Sequence, residues 1–314
     1  MTQTTGQNET QDRTVQGCGT ALITPFNADG SVDGGALADL VEFQISEGIH
    51  FLVPCGTTGE TPSLSGAEQR QVVGTVVRQA DGRVPIVAGA GGNNTASVIE
   101  SAKAMRDLGA DAILSVAPYY NKPNQEGLFQ HFSAIADQAD VPIVLYNVPG
   151  RTGSNIAPKT VLRLAEHPRV IGIKEASANV AQMTAIAVDM PAGFRLLSGD
   201  DGFVLPLVAI GGCGVISVVA NIVPGEMTRF TQHCLEGSFA HARRLQRRIH
   251  ELTRACFLET NPIPVKAALA MMGRIQEVYR LPMVQISEAS RQKLTVILEQ
   301  EDVLKDVPRL SAAS

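Results

Sequence analysis

Short apolar runs alternate along the chain with segments of helical periodicity. Eight runs rich in β-branched residues lie at 20–26, 50–56, 84–91, 112–118, 141–148, 170–176, 194–200 and 213–220. The segments between them, such as GGALADLVEFQISEG and TASVIESAKAMRDLG, carry apolar residues at i, i+3, i+4 and i+7 and end near glycine. The pattern therefore predicts strands that alternate with helices.

This alternation indicates an α/β protein with a parallel sheet. Near-continuous apolar strands are typical of sheets that are covered by helices on their faces. Eight strand–helix units in about 205 residues favour a closed (β/α)8 TIM barrel. An open, doubly wound sheet stays an alternative, because periodicity alone does not show closure.

The pattern also divides the chain into three parts. Residues 1–16 are polar and are predicted to be a disordered tail, and residues 17–224 form the barrel. After residue 224 the apolar runs stop, so residues 225–314 are predicted to be a C-terminal helical region. Its basic run RRLQRR belongs to one amphipathic helix and is expected to be a solvated face.

Composition narrows the class of function. Hydrophobic residues make up 44% of the chain and charged residues 18%, which is enough apolar material for a large core. The formal net charge of −5 provides no electrostatic reason to bind nucleic acid or an anionic membrane. We therefore expect small-molecule chemistry, with neither nucleic acid nor membrane as a partner.

Cysteines and the N-terminus indicate the compartment. The five cysteines are scattered, without a CxxC pair or a nearby histidine, so neither disulfides nor a zinc site are expected. The polar start lacks the apolar segment of a signal peptide, and no stretch of about 18 apolar residues follows. These features predict a cytoplasmic protein with reduced thiols.

The chemically distinctive segments follow predicted strands, and the carboxyl ends of barrel strands are where active sites form. They are GTTGE at 56–60, YYNKP at 119–123 and YNVPGRTG at 146–153. In the first, small residues let backbone amides approach an anion, and Thr57 and Thr58 add hydroxyl donors. Plainer alternatives stay open: a strand-to-helix turn, tyrosines that only pack, and a solvated loop around Arg151.

Lys174 is unusual because it directly follows the apolar segment VIGI on a predicted strand. A buried ammonium must pair with a carboxylate or lose its proton. Lowering its pKa from about 10.4 by about three units, roughly 4 kcal/mol, would make the neutral amine common at pH 7. Such an amine can form a Schiff base with a ketone. Glu175 points to the opposite strand face, so the alternative, a buried salt bridge, would need another acid.

Asp200 and Asp201 in SGDD, at the end of the seventh run, could suggest a metal pair. No histidine or third carboxylate lies close to them in sequence, so we expect no metal. The remaining lysines, Lys266 among them, lie mostly in helical or polar segments and are expected to have ordinary surface roles.

Seven segments in this order resemble the dihydrodipicolinate synthase branch of the N-acetylneuraminate lyase superfamily: GTTGE, YYNKPNQEGL, YNVPGRTG, GIKEAS, SGDD, GVISVVAN and NPIPVKAA. The resemblance runs from about Gly19 to about residue 300. It implies a lyase of the class I aldolase type, which needs no cofactor beyond a covalent imine between Lys174 and pyruvate. It also implies a homotetramer, a dimer of dimers.

The reaction implied by the resemblance begins when Lys174 condenses with the C2 carbonyl of pyruvate. The enamine then attacks L-aspartate 4-semialdehyde and yields 4-hydroxy-tetrahydrodipicolinate, an early step of lysine and diaminopimelate synthesis. Tyr146 would be the general acid/base. Thr57 and Tyr120 would complete its proton relay, with Tyr120 reaching in from a neighbouring subunit.

The resemblance also implies the binding residues. Thr57 and Thr58 would hold the pyruvate carboxylate, while Gly199 and Ile216 would line the pyruvate pocket. Arg151 would capture the carboxylate of the second substrate, for which a guanidinium is well suited. Sialic acid lyases and several sugar-acid dehydratases of the superfamily usually lack this arginine.

Two alternatives stay open. One is a related pyruvate-dependent aldolase or 2-keto-acid dehydratase, acting on sialic acid or a keto-deoxy sugar acid. The other is a noncatalytic barrel that binds a keto acid.

One departure from the family pattern concerns regulation. Lysine-inhibited bacterial members usually have histidines and a glutamate around an allosteric site, whereas Gly66, Gln69 and Ser97 stand here. Weak or absent feedback inhibition by lysine is therefore expected, although Asn93 and Tyr119 are retained.

Overall fold

Eight parallel strands form the centre of the structure, a computed structural model that describes residues 15–304. The strands are β1 (Gly17–Ala21), β2 (Phe51–Val53), β3 (Val87–Gly89), β4 (Ala112–Val116), β5 (Ile143–Asn147), β6 (Val170–Glu175), β7 (Arg195–Ser198) and β8 (Gly214–Ser217). The tail predicted at 1–16 lies outside the described residues except for Val15 and Gln16, and Val15 is buried.

The sheet closes on itself. β1 pairs with β2 on one side and with β8 on the other, where Gly17 is opposite Gly214. A bridge between Leu52 and Ile86 joins β2 to the segment that leads into β3. The (β/α)8 barrel is therefore confirmed. The open, doubly wound sheet is not supported, because β2 and β3, the first and last strands of the order, are joined through this bridge.

Helices surround the barrel and continue after it. They are α1 (Gly34–Ser46), α2 (Gly66–Ala80), α3 (Thr95–Asp107), α4 (Gln125–Ala139), α5 (Pro149–Thr152), α6 (Pro158–Ala165), α7 (Val180–Asp189), α8 (Val204–Ala209), α9 (Pro224–Leu235), α10 (Phe239–Ala255), α11 (Ile263–Met271) and α12 (Glu288–Gln300). Side-chain caps begin several of them, for example Asn94 at α3 and the capping box of Ser65 with Glu68 at α2.

Helices follow β8 in the described residues, as predicted for the region after residue 224, but the outer ring of the barrel extends past that predicted boundary. Helix α9 packs against β1 and α8, which makes it the eighth helix of the outer ring, and α10 to α12 form the extension. No helix within residues 15–304 has the length and apolar character needed to cross a membrane.

Strand β1 begins three residues before the apolar run that predicted it, because its first residues are glycine and cysteine. A Cβ at Gly19 would lie 2.1 Å from a ring carbon of Phe51, so only glycine lets β1 approach this ring. Glycine carries little hydropathic signal, which is why the apolar pattern missed this end.

The apolar core has two parts, as alternation of side chains along the strands requires. One fills the barrel, with Phe51, Leu114, Leu197 and Ile216 among its members. The other lies between the strands and the ring of helices. Side chains at the carboxyl ends of the strands therefore point either into the barrel or under a helix.

Candidate active site

Lys174 and Tyr146 lie side by side inside the barrel. They are paired positions on the neighbouring strands β6 and β5, and both side chains are buried. The Lys174 Nζ atom lies 4.3 Å from the centre of the Tyr146 ring. An amine and a phenol thus occupy the same end of the barrel.

Glu175 points away from Lys174, as strand alternation predicts. Its carboxylate accepts hydrogen bonds from Asn147 Nδ2 at 3.0 Å, Gln182 Nε2 at 3.1 Å and the Ser177 amide at 2.7 Å. Among the ion pairs of residues 15–304, none involves Lys174. The buried salt bridge considered as an alternative is therefore not observed.

The segment after β2 forms two short 3₁₀ turns, Thr57–Gly59 and Thr61–Ser63. Thr24 Oγ1 donates to the Gly59 carbonyl at 2.7 Å, and Thr61 Oγ1 donates to the Gly56 carbonyl at 2.9 Å. These bonds hold a compact turn beside the mouth of the barrel, where amides and hydroxyls can face an anion.

A cavity of about 380 Å³ opens at this end of the barrel. Three of the predicted site residues, Thr57, Tyr146 and Arg151, line it. The other lining residues come from β3, from β4 and from the segments that follow β2 to β5: Cys55, Gly56, Thr61, Pro62, Leu64, Gln69, Gly89, Ala90, Gly91, Leu114, Val116, Tyr119, Val148 and Thr152. The carboxyl ends of the strands thus bring the Thr57–Gly59 turn, a phenol and a guanidinium together.

The predicted site residues Lys174, Gly199 and Ile216 do not line this cavity. A Cβ at Gly199 would lie 3.0 Å from Lys174 Cε, so the glycine backbone packs directly on the lysine side chain. Ile216 is buried in the barrel interior in the same apolar cluster as Tyr146. Their role in a pyruvate pocket stays a prediction.

Thr58 and Tyr120 are not on the cavity wall. The Thr58 side chain is buried, and its Oγ1 accepts a hydrogen bond from Asn261 Nδ2 at 3.0 Å. Tyr120 is 90% exposed and has a positive φ of 70°. Within this chain, therefore, Tyr120 contributes nothing to the cavity lining, whereas the adjacent Tyr119 does.

Arg151 lies in the short helix α5, which follows β5. Its Nη2 atom is 3.5 Å from the carbonyl oxygen of Asn261, in the segment that leads into α11. The rest of the guanidinium is exposed at the cavity. This position leaves hydrogen-bond donors available to a carboxylate that enters from solvent.

Sequence reasoning missed three residues near the site, Glu60, Asn261 and Lys266. The surface role predicted for Lys266 is wrong, because its side chain is fully buried and its Nζ lies 2.6 Å from Glu60 Oε1. The signal was present in PVKAALA, where apolar residues flank this lysine on both sides. Asn261 carried no such signal.

Thiols and carboxylates around the site are also buried. Burial raises the pKa of Cys55 to about 12, so this lining residue is a neutral thiol at pH 7. All five cysteines are free. Burial likewise raises the pKa of Asp201 to about 6, although it accepts the Val218 amide at 3.0 Å. In residues 15–304, no group of three or more potential ligands could hold a metal.

A larger groove of about 1000 Å³ lies elsewhere, between α10 and α12. It reaches the barrel only at Asp200 and Gly202, and none of the predicted site residues line it. The smaller cavity therefore contains the predicted site residues, while the larger groove is lined mainly by α10, α12 and the residues after α10.

The closed parallel barrel and the cavity at the carboxyl ends of its strands place the chain among the (β/α)8-barrel enzymes. The model of the dihydrodipicolinate synthetase family matches residues 14–301. The chain belongs to this family.

Individual relatives agree with the family match. The chain is 53% identical over 293 residues to 4-hydroxy-tetrahydrodipicolinate synthase of Koribacter versatilis, covering 93% of this chain and 98% of the relative. It is 50% identical over 290 residues to the synthase of Nitratidesulfovibrio vulgaris strain Miyazaki F, covering 92% and 99%.

Solved structures show the same fold. Dihydrodipicolinate synthase from Aquifex aeolicus superposes with a TM-score of 0.90 at 40% identity, covering 92% of this chain and 98% of that one. The Acinetobacter baumannii enzyme, solved as a complex with pyruvate, gives a TM-score of 0.91 at 43% identity, covering 92% and 100%.

Proposed function

We propose that this chain condenses pyruvate with L-aspartate 4-semialdehyde to form 4-hydroxy-tetrahydrodipicolinate, a step of lysine and diaminopimelate biosynthesis. The observation that carries the proposal is the buried Lys174 next to Tyr146, whose side chain lines a cavity together with Arg151 and Thr57. Relatives of about 50% identity over nearly the whole chain carry the synthase name. The sugar-acid and binding-only alternatives are not favoured.

The first step is covalent capture of pyruvate. The neutral Lys174 amine attacks C2, the carbonyl oxygen leaves as water, and an iminium joins Nζ to C2. The Tyr146 hydroxyl supplies a proton to the departing oxygen. No separate cofactor is needed, because the iminium itself withdraws electrons from the methyl carbon.

Carbon–carbon bond formation follows. The iminium loses a methyl proton and becomes an enamine, whose carbon attacks the aldehyde of the second substrate, and the aldehyde oxygen gains a proton. The amino group of the semialdehyde then adds to C2 and displaces Lys174, which closes the ring and frees the enzyme. Tyr146 handles these proton transfers because it is the phenol beside the lysine.

Two anion sites orient the substrates. The turn that begins at Thr57 would receive the pyruvate carboxylate, through backbone amides and hydroxyls. Arg151, exposed at the cavity, would receive the carboxylate of the semialdehyde. This separation of two negative charges explains how one cavity can discriminate between donor and acceptor.

Borohydride trapping tests the covalent step. Reduction in the presence of pyruvate should fix one reduced pyruvate per chain on Lys174, identified by mass spectrometry of peptides. Lys174→Arg should give no adduct, while Lys159→Arg, at an exposed position on α6, should behave as wild type. An adduct on another lysine would contradict the assignment.

The acceptor is tested by turnover. With pyruvate as donor, L-aspartate 4-semialdehyde should be consumed, while N-acetylneuraminate and 2-keto-3-deoxy sugar acids should not be cleaved or dehydrated at comparable kcat/KM. Faster turnover of a sugar acid would favour the aldolase or dehydratase alternative.

Assembly and location are part of the proposal. The exposed Tyr120 supports a relay completed by a neighbouring subunit in a homotetramer, and free thiols suit the cytoplasm. Tyr120→Phe should lower kcat without changing the mass measured by sedimentation. Mixing this variant with Lys174→Arg protein after subunit exchange should restore part of the activity. A sedimenting monomer with full activity would refute the shared relay.

We also propose weak or absent feedback inhibition by lysine. Position 69, where lysine-inhibited members usually have a histidine or a glutamate, is occupied by Gln69. Its side chain donates a hydrogen bond to the Leu64 carbonyl at 3.1 Å. Initial rates should stay nearly constant in millimolar lysine. Strong inhibition at sub-millimolar lysine would overturn this part.

A further inference from the structure

A fully buried ion pair joins the helical extension to the segment after β2. This segment contains the turn Thr57–Gly59, called the pyruvate turn because we propose that it receives the pyruvate carboxylate. Lys266 Nζ on α11 lies 2.6 Å from Glu60 Oε1, and the two side chains are 0% and 2% exposed. Glu60 directly follows the Thr57–Gly59 turn. The partners are 206 residues apart in sequence.

The surroundings make each partner depend on the other. Lys266 Nζ lies 4.2 Å from the centre of the Phe26 ring and 5.3 Å from that of Tyr279, so aromatic faces surround the ammonium. Glu60 Oε2 has no hydrogen-bond partner among the described residues. Lys266 is therefore the group that compensates the buried carboxylate.

Glu60 also has a strained backbone. Its φ of 53° is left-handed, which is unfavourable for a residue with a side chain. Such a conformation persists only where surrounding contacts impose it. Glu60 lies between the two turns whose residues Thr57, Thr61 and Pro62 line the cavity, so its anchor fixes both.

A second bond from the same region reaches the same turn. Asn261 Nδ2 donates to Thr58 Oγ1, while the Asn261 carbonyl accepts from Arg151. The segment around α11 thus contacts the turn at Thr58 through the neutral Asn261 amide, and the residue after the turn, Glu60, through the Lys266 ammonium.

We propose that Glu60 and Lys266 are positioning residues for pyruvate: their ion pair holds the Thr57–Gly59 turn where its donors meet the pyruvate carboxylate. The inference rests on the proposed function. Donors that are already in place when the anion arrives need no reorganisation, and small displacements of such donors lower reaction rates steeply. Neither residue touches the substrate.

The test is Lys266→Met, which keeps a long side chain but leaves the Glu60 carboxylate unpaired. We expect kcat/KM for pyruvate to fall at least tenfold, while kcat/KM for L-aspartate 4-semialdehyde changes less than threefold. Leu298→Ala is the matched control, because it creates a cavity in α12 of the same extension without contacting the turn. It should lower Tm and leave both values near wild type.

A double substitution distinguishes the effect of an unpaired buried charge from the effect of a changed side-chain shape. Glu60→Gln with Lys266→Met removes both charges, and we expect a smaller loss of pyruvate kcat/KM than in Lys266→Met alone. If Lys266→Met does not fold, Glu60→Gln alone is compared with the double variant instead, since it also leaves one buried charge unpaired. Folded variants whose pyruvate kcat/KM equals that of Leu298→Ala would overturn the inference.

Borohydride trapping distinguishes failure of the positioning inference from failure of the proposed function. If wild type forms the pyruvate adduct and the variants form it at the same rate at low pyruvate, only the inference is wrong. If wild type forms no adduct, the proposed function fails and the inference with it.

Discussion

Gly199 allows a direct test of how tightly Lys174 is held. A Cβ at this position would lie 2.6 Å from Ala176 Cβ, 3.0 Å from Lys174 Cε and 3.1 Å from Lys174 Cγ. Carbon atoms in van der Waals contact are about 3.5–4.0 Å apart. Gly199→Ala must therefore move Lys174 or the backbone by roughly 0.5–1 Å.

The magnitude follows from this displacement. Misplacing a reacting group by about 1 Å can cost about a hundredfold in rate, or about 2.7 kcal/mol of activation free energy. Overpacking should also lower the free energy of unfolding by about 1–3 kcal/mol. We expect Gly199→Ala to fold, and to lose about 10–100-fold in kcat/KM for pyruvate.

Two assays check this expectation, steady-state kinetics and the rate of borohydride trapping with pyruvate. Gly150→Ala is the control, because a Cβ there meets no atom within 4 Å although it lies at the same end of the barrel. Its activity should stay within about twofold of wild type, as expected for a change without contacts. Equal kcat/KM and trapping rates for Gly199→Ala and wild type would refute the packing argument.

Three further predictions concern single side chains. Arg151→Met should raise KM for L-aspartate 4-semialdehyde about 10–100-fold, since a charge-assisted bidentate contact is lost, with little change in KM for pyruvate. Glu175→Gln should lower the free energy of unfolding by about 1–3 kcal/mol, because its new NH₂ group would face the donors Asn147 and Gln182. Burial lowers the pKa of His131 to about 4, so its protonation opposes folding, and between pH 7 and pH 5 wild type should lose about 2 kcal/mol of stability relative to His131→Gln.

Each of these has its own contradicting result. Steady-state kinetics of Arg151→Met decide the first prediction. An equal rise of KM for pyruvate and for L-aspartate 4-semialdehyde would argue against a dedicated acceptor site. Urea unfolding at pH 7 decides the second, where unchanged stability would mean that the Glu175 network tolerates an amide. Urea unfolding across pH decides the third: below about pH 6.5 the stability of wild type must fall relative to that of His131→Gln, and parallel curves for the two proteins would exclude a contribution from His131.

Much of the fold was predictable because apolar periodicity reports burial directly. Parallel strands end at one edge of the barrel, so Thr57, Tyr146 and Arg151 could be expected near each other from their places after successive strands. Alternation along β6 likewise predicted that Lys174 and Glu175 point to opposite faces, which the structure confirms.

The missed features depend on contacts that no local pattern encodes. The bond from Asn261 to Thr58 spans 203 residues, and the pair of Lys266 with Glu60 spans 206. Glycine is required at position 19 of β1 because the Phe51 ring lies opposite it, and hydropathy does not report this contact. Tyr120 is 90% exposed, so no contact within the described residues holds its side chain at the cavity.

The long span of the Glu60–Lys266 pair has a consequence for how the protein is made on the ribosome. Synthesis proceeds from the N-terminus, so the turn at Thr57 emerges long before α11 does. Strand β1 must also wait for β8, since Gly17 pairs with Gly214. A nascent chain that stopped after β8 could close its barrel while the Glu60 carboxylate was still without its cation. The pyruvate turn is therefore among the last parts of the molecule to mature, and premature termination within the extension should yield a chain that resembles the enzyme in outline yet captures its first substrate poorly.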